Sequence, residues 1–371
     1  MLAGVFVVLS LILYLVPTGF EEEIDQEAVR CRGKVTAVDN SEVRRMGMVR
    51  TGDQEVTLEI LDGPHEGRIL RGNNPLLGQM DRDKLFRAGD TAMVVLSVDE
   101  KGDIVFVNPQ DHHRLGLELL LLGLFSLRLV AFGGWTGLKA LLSFLFAALM
   151  LWKVLVPLLL EGWDPVFLSL GVVALLCGAI IFLVAGVNRK GLTAFLGAFL
   201  GVLTSCILAV LFTGALHLHG AVMPFAETLL YSGFAHLDLT KIYVAAVFLA
   251  CSGAVMDLGM DVSASMHEVV SRHPEIGRVE AVRSGLNVGR AVVGTMTTTL
   301  LLAYSGGFIT LLMAFMAQGV PLSSTFNFVY VAAEVLKTLV GSFGLVTVAP
   351  FTALVGGLLL VRPSPHARVP G

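Results

Sequence analysis

The chain has 371 residues, of which 55% are hydrophobic and 15% charged, with a mean hydropathy of +0.77 and a formal net charge of −4. Soluble domains hold about 45–50% apolar and about 25% charged residues, so this composition excludes an ordinary soluble domain and describes a polytopic membrane protein whose first partner is the lipid bilayer. The small net charge gives no support to a nucleic-acid partner.

Residues 1–17 are almost wholly apolar, lack a basic leader and show no small-residue cleavage site before Glu21-Glu22-Glu23. Residues 1–20 therefore read as a retained signal anchor; a cleaved signal peptide is the alternative. Residues 28–110 change to the composition of a soluble β domain. Apolar and polar residues alternate in Lys34-Val35-Thr36-Ala37-Val38, Glu55-Val56-Thr57-Leu58-Glu59-Ile60-Leu61, Arg68-Ile69-Leu70, Ala92-Met93-Val94-Val95-Leu96 and Ile104-Val105-Phe106-Val107. That period predicts half-buried strands. Turns are expected at Asp62-Gly63-Pro64 and Glu100-Lys101-Gly102-Asp103. Five short strands predict a small closed barrel of the OB or SH3-like sort, since closure removes the edges. Its role is either ligand or partner binding, or a structural cap.

With a window of roughly 20 residues, apolar spans follow at 115–132, 140–160, 166–187, 192–215, 242–256, 291–313 and 343–361. Counting the anchor, the fold class is an α-helical membrane protein of about eight spans with an N-terminal extracytoplasmic β domain. Residues 115–361 form its membrane domain, 257–289 a cytoplasmic loop and 362–371 a tail. Lys139, Arg189, Lys190, Arg272, Arg278, Arg283, Arg290, Arg362 and Arg368 fall on one side, whereas 161–165, 216–240 and 314–327 hold no Lys or Arg. The positive-inside bias then puts both termini in the cytoplasm of a bacterial plasma membrane and residues 20–112 outside.

Polar groups concentrate between Gly253 and Tyr304. Asp257 and Asp261 are four apart, so a continuing helix puts both carboxylates on one face. They suit proton sharing or cation binding within a membrane; solvation at the cytoplasmic mouth is the plain alternative. Ser265-Met266-His267-Glu268 has the form of a capping box and is expected to start a short cytoplasmic helix. Arg290 begins a span after Asn287, with Gly285, Gly289 and Gly294 permitting close helix packing or an unwound segment. Thr295, Thr297, Thr298 and Thr299 either return hydrogen bonds to their own backbone turn or, with Asn287 and Tyr304, line a polar pathway.

Glu334 and Lys337 read as an i, i+3 ion pair on an amphipathic stretch, 326–340, lying at the outer interface. His217, His219, His236 and Asp238 form two short pairs that are weak evidence for a metal. The four cysteines, Cys31, Cys177, Cys206 and Cys251, have no metal-ligand spacing and imply no disulfide framework. No cofactor is expected. The usual hydrolase, nucleotide-binding and zinc-protease motifs are absent, so no residue is assigned as catalytic.

Several segments resemble the YibE/F-like family of bacterial membrane proteins. They include Gly253-Ala254-Val255-Met256-Asp257, Ser284-Gly285-Leu286-Asn287-Val288-Gly289-Arg290, Gly294-Thr295-Met296-Thr297, Leu300-Leu301-Leu302-Ala303-Tyr304 and Gly341-Ser342-Phe343-Gly344-Leu345. Leu61-Asp62-Gly63-Pro64-His65-Glu66-Gly67, Gly89-Asp90 and Val187-Asn188-Arg189-Lys190 are similar to it as well. The resemblance implies a polytopic membrane protein with an extracytoplasmic N-terminal domain, and no established activity. Ala291 stands where the family pattern has Asp, Thr298 where it has Asn, and Asp261 where it has Ser. These departures favour a packing or pathway role over catalysis. The leading expectation is a secondary transporter for a small solute or ion, with Asp257, Asp261, Asn287, Arg290, Thr295, Thr297, Thr298, Thr299 and Tyr304 along its pathway. The rival is a membrane scaffold that binds a protein partner through the β domain; an intramembrane enzyme using the two aspartates is the third reading.

Overall fold

A computed structural model describes residues 2–20, 28–99 and 102–361. The acidic run 21–23, the middle of the expected turn at 100–101 and the basic tail 362–371 lie outside the described residues. The chain divides into two compact units, Gly19–Ala131 and Met1–Thr18 with Phe132–Gly371.

In the first unit all five expected strands form, as β1 (Ala28–Asp39), β3 (Val49–Ile60), β4 (Ile69–Leu77), β5 (Thr91–Val98) and β6 (Ile104–His112). The short β2 (Arg44–Met46) is an addition. Every pairing is antiparallel, in the order β2-β3-β1-β5-β6 with β4 on β3. The sheet curls until β4 meets β6: a side chain at Gly72 would fall 2.8 Å from the Val107 carbonyl oxygen. Inward-facing Val35, Val56, Leu58, Ile60, Ala92, Val94 and Leu96 are buried around Phe86, as the alternation requires. Two polar side chains share this interior. Gln54 Oε1 accepts from Phe86 N at 3.0 Å and from Asn74 Nδ2 at 3.0 Å, and Gln54 Nε2 donates to Phe86 O at 3.0 Å. These bonds, with Asn74 Nδ2 also donating to Lys84 O at 2.7 Å, tie the long β4–β5 connection to the sheet and satisfy the Gln54 amide, while Asn74 Oδ1 is buried without a partner. Arg32 donates from its backbone N–H and its Nε to Asp62, closing the β3–β4 turn on β1.

The second unit is helical. Its helices are α1 (Leu2–Leu15), α2 (Leu115–Met150, which begins in the first unit), α3 (Val156–Leu160), α4 (Pro165–Ala185), α5 (Arg189–Ala215) and α6 (Ala226–Tyr231). They are followed by α7 (Leu239–Arg272), α8 (Arg278–Ser305), α9 (Ile309–Ala317), α10 (Leu322–Asn327) and α11 (Val329–Leu359). Six stretches are long and apolar enough to cross a membrane. The expected eight counts the 14-residue α1 as a span and divides the 46-residue stretch Leu115–Leu160 in two. At about 1.5 Å per residue that stretch far exceeds a ~30 Å hydrocarbon core. Its one non-helical residue, Gly134 (φ 52°, ψ −128°), falls between the two expected spans.

Helix starts follow local chemistry. Asp164 caps α4, accepting from Val166 N and Phe167 N, and Pro165 occupies the first turn, where its missing N–H costs nothing. Asn188 and Asp238 cap α5 and α7 in the same manner. Asp164 also pairs with Lys241 Nζ at 2.7 Å, and that hydrogen bond holds its carboxyl below the usual carboxylate range.

The core of the bundle joins α5, α7 and α11 through small residues. A Cβ at Gly197 would collide with Thr352, and one at Gly344 with Ser205, so backbones approach closely at both places. Gly285 and Gly289 do the same for α8 against Met266 and Ala349, which settles their role as packing; Gly294 faces open space.

Two expectations are corrected. Within residues 257–289, expected as a cytoplasmic loop holding a short helix, α7 runs unbroken to Arg272 and only 273–277 separate it from α8. Leu258, Gly259, Val262, Ser263 and Met266 keep a buried face there, while the polar residues occupy the other side. Ser265 therefore lies inside α7 and starts no helix, and Glu268 pairs with Arg272 at 2.6 Å. Residues 326–340 are not a separate interfacial stretch: α11 begins at Val329, continues into the last span, and buries Val331, Ala333, Leu336, Thr338 and Val340.

Candidate functional site

Asp257 and Asp261 share one exposed face of α7, as their spacing requires. Steps of three and four residues connect them upward through Ala254 and Ala250 to Val247. On α8, Asn287, Arg290, Thr295, Thr298 and Thr299 are exposed, and Thr297 and Tyr304 half-buried. The threonines bond to their own helix: Thr295 to Val292 O at 2.9 Å, Thr297 and Thr298 to Gly294 O at 3.1 Å each, and Thr299 to Thr295 O at 3.0 Å. Among the described residues no ion pair within 4.0 Å joins Arg290 to Asp257 or Asp261. The predicted set is thus placed on neighbouring helices without being tied into one cluster.

The second of the histidine-containing pairs is used otherwise. His236 Nε2 lies 3.1 Å from Leu160 O, and Asp238 caps α7. Among the described residues no group of three or more His, Cys, Asp or Glu side chains could hold a metal.

The feature that sequence reading passed over is a cavity of about 370 Å³ between α7, the α8–α9 connection, α11 and the segment before α6. Its walls include Val222, Met223, Pro224, Tyr243, Val247, Phe308, Leu311 and Tyr330, and its charged groups are Glu334 and Lys337. Lys337 Nζ stands 3.4 Å from Glu334 Oε2 and 5.0 Å from the centre of the Tyr304 ring; the two side chains are 28% and 30% exposed. The ion pair expected at i, i+3 is therefore present, but inside the bundle. Tyr243, with its hydroxyl donating to Ala333 O at 2.7 Å, fixes α7 against α11 beside it. The Tyr304 hydroxyl is enclosed without a hydrogen-bond partner. A carboxylate and an ammonium, the latter standing over the Tyr304 ring, meet here on a largely apolar cavity, which is the usual make-up of a small-molecule site. The signal available in sequence was an ion pair within an apolar stretch that reaches the last span without a turn.

The fold and site together define a polytopic helical protein of membrane type, with charged groups held between its long apolar helices. The chain belongs to the YibE/F-like family: the family model for YibE/F-like proteins matches residues 121–362, about two thirds of the sequence. The match runs from within α2 to the end of α11 and leaves α1 and the β domain outside. No curated protein and no solved structure matches the chain.

Proposed function

We propose that this chain is a secondary transporter or permease for a small solute. The observation that carries the reading is the Glu334–Lys337 pair, half-buried between membrane-length helices on the wall of a cavity. Ionisable groups within membrane spans cost free energy and mark substrate or ion pathways. The solute enters at that cavity and follows the α7 stripe Val247, Ala250, Ala254 toward Asp257 and Asp261, with Asp257 coupling transport to protons or cations. Asn287, Arg290, Thr295, Thr297, Thr298, Thr299 and Tyr304 supply the polar side of the route on α8. In this reading the β domain is a small barrel outside a bacterial plasma membrane, eight spans cross it, and both termini are cytoplasmic.

Full-length protein in liposomes tests it. Wild type should give solute-driven flux of protons or sodium, and Asp257→Asn and Lys337→Gln should each abolish it; no flux above protein-free liposomes sinks the transporter, and equal flux in all three sinks the route through these residues. The compact β domain, with its own core, favours one rival, a scaffold binding a protein through that domain. A partner crosslinked to the β domain, with cell function intact in Asp257→Asn and Lys337→Gln, would decide for the scaffold.

A further inference from the structure

The chemistry of the cavity restricts what can occupy it. Glu334 and Lys337 compensate each other at 3.4 Å, so the polar wall has no net charge. A singly charged solute that engages one of them leaves the other unpaired in a partly dry site, which is strongly unfavourable. A solute carrying both charges replaces one long ion pair with two charge-assisted hydrogen bonds and strands nothing. The apolar part of the lining, which includes Met223, Val247, Phe308 and Leu311, accepts hydrocarbon. The volume of about 370 Å³ lies at the low end of the roughly 300–1,000 Å³ seen for ligand pockets, and suits a molecule of few heavy atoms.

We propose that this cavity binds a small zwitterion with an apolar body, of the chemical class of an aliphatic α-amino acid, its ammonium on Glu334 and its carboxylate on Lys337. The assignment names the substrate class of the transporter reading and rests on it for its biological meaning. Separation of the two partners by the ligand also leaves Lys337 free to keep its place over the Tyr304 ring.

Equilibrium dialysis of the full-length protein in detergent, with radiolabelled leucine, isovalerate and isoamylamine as probes, tests the class. The three share a hydrocarbon skeleton and differ in charge. Leucine should bind at least tenfold tighter than either singly charged analogue, and Glu334→Gln and Lys337→Gln should each weaken it at least tenfold. Leucine binding no tighter than the analogues, or unchanged in both variants, overturns the proposal. Met223→Trp, which fills the cavity and leaves the ion pair intact, guards against variants that fail to fold: it should abolish leucine binding, and retention at wild-type affinity overturns the proposal. Liposome flux separates this claim from the broader one. Leucine binding without flux sinks the transporter and leaves the site standing; flux of isovalerate or isoamylamine in preference to leucine sinks the substrate class and leaves transport standing.

Discussion

α7 and α8 are neighbours joined by five residues, 273–277, yet they solve the problem of polar groups in apolar surroundings in different ways. In the most apolar window of α7, 61% of residues are buried, against 6% for the α8–α9 stretch. On and around α7 several polar bonds cross between helices, although Ser252 and Ser271 return theirs to Leu249 O and Glu268 O of α7 itself. Tyr243 donates to Ala333 O, Ser263 to Lys190 O at 2.7 Å, and Ser205 of α5 to Val340 O of α11 at 3.2 Å. On α8 the threonine hydroxyls turn back on their own helix. Bonds of the first kind fix one helix against another; those of the second kind are indifferent to what lies outside. The difference teaches that polarity on a membrane-length helix marks a built site only where its partner is on another element or on a cavity wall.

The comparison breaks first at the close-packed core. Gly344→Leu places a side chain where Ser205 stands and where the Gly201 carbonyl oxygen lies 3.2 Å away; overpacking of this kind should cost about 3 kcal/mol, read as a lowered unfolding temperature in detergent. An unaltered temperature would mean that α5 and α11 are not locked as described. Lys337→Met comes next, because it leaves Glu334 without a partner; a loss of roughly 2 kcal/mol is expected, with the double variant Glu334→Gln/Lys337→Met less damaging than the sum of the singles. Additive losses would show that the pair is not coupled.

Asp164→Asn should have a smaller effect, since that tie between the start of α4 and Lys241 is partly exposed. Its pH dependence carries a definite sign. The carboxyl is held below its ordinary value of 3.8, chiefly by the Lys241 hydrogen bond. The stabilisation is therefore fully present above that value and fades as pH falls through the depressed one. Acid unfolding followed by tryptophan fluorescence should show the wild type losing part of its advantage over Asp164→Asn below about pH 3.8. Thr298→Val sits at the end of the scale, with a change within about 0.5 kcal/mol. A loss several times larger would reveal a partner on the α8 face and overturn the contrast with α7.

Much of the fold was legible. Alternating residues placed five strands because each buries one face, whereas Arg44-Arg45-Met46 of β2 are all exposed and carry no such signal. The two aspartates were correctly set on one helical face. The length of α7 was not legible because its polar residues interrupt the apolar pattern after Met256, while the buried face through Leu258, Val262 and Met266 continues beneath them. The ion pair Glu334–Lys337 was also readable from its spacing. Its position on a cavity was not, because the other walls, Met223, Val247 and Leu311, come from distant parts of the chain.

Sequence by itself determined the membrane class, the family, the strands and the helical faces, all of which depend on neighbours within a few positions. Hydrophobic period, caps and i, i+3 or i, i+4 contacts are written in consecutive residues. Only the tertiary structure decided which polar groups act together. Close approach at Gly197, Gly289 and Gly344 sets how deeply the helices interlock, and that interlocking brings Tyr243 to Ala333 and Lys337 to the ring of Tyr304. Contacts of this kind span 90 residues in the first case, and no local pattern encodes them.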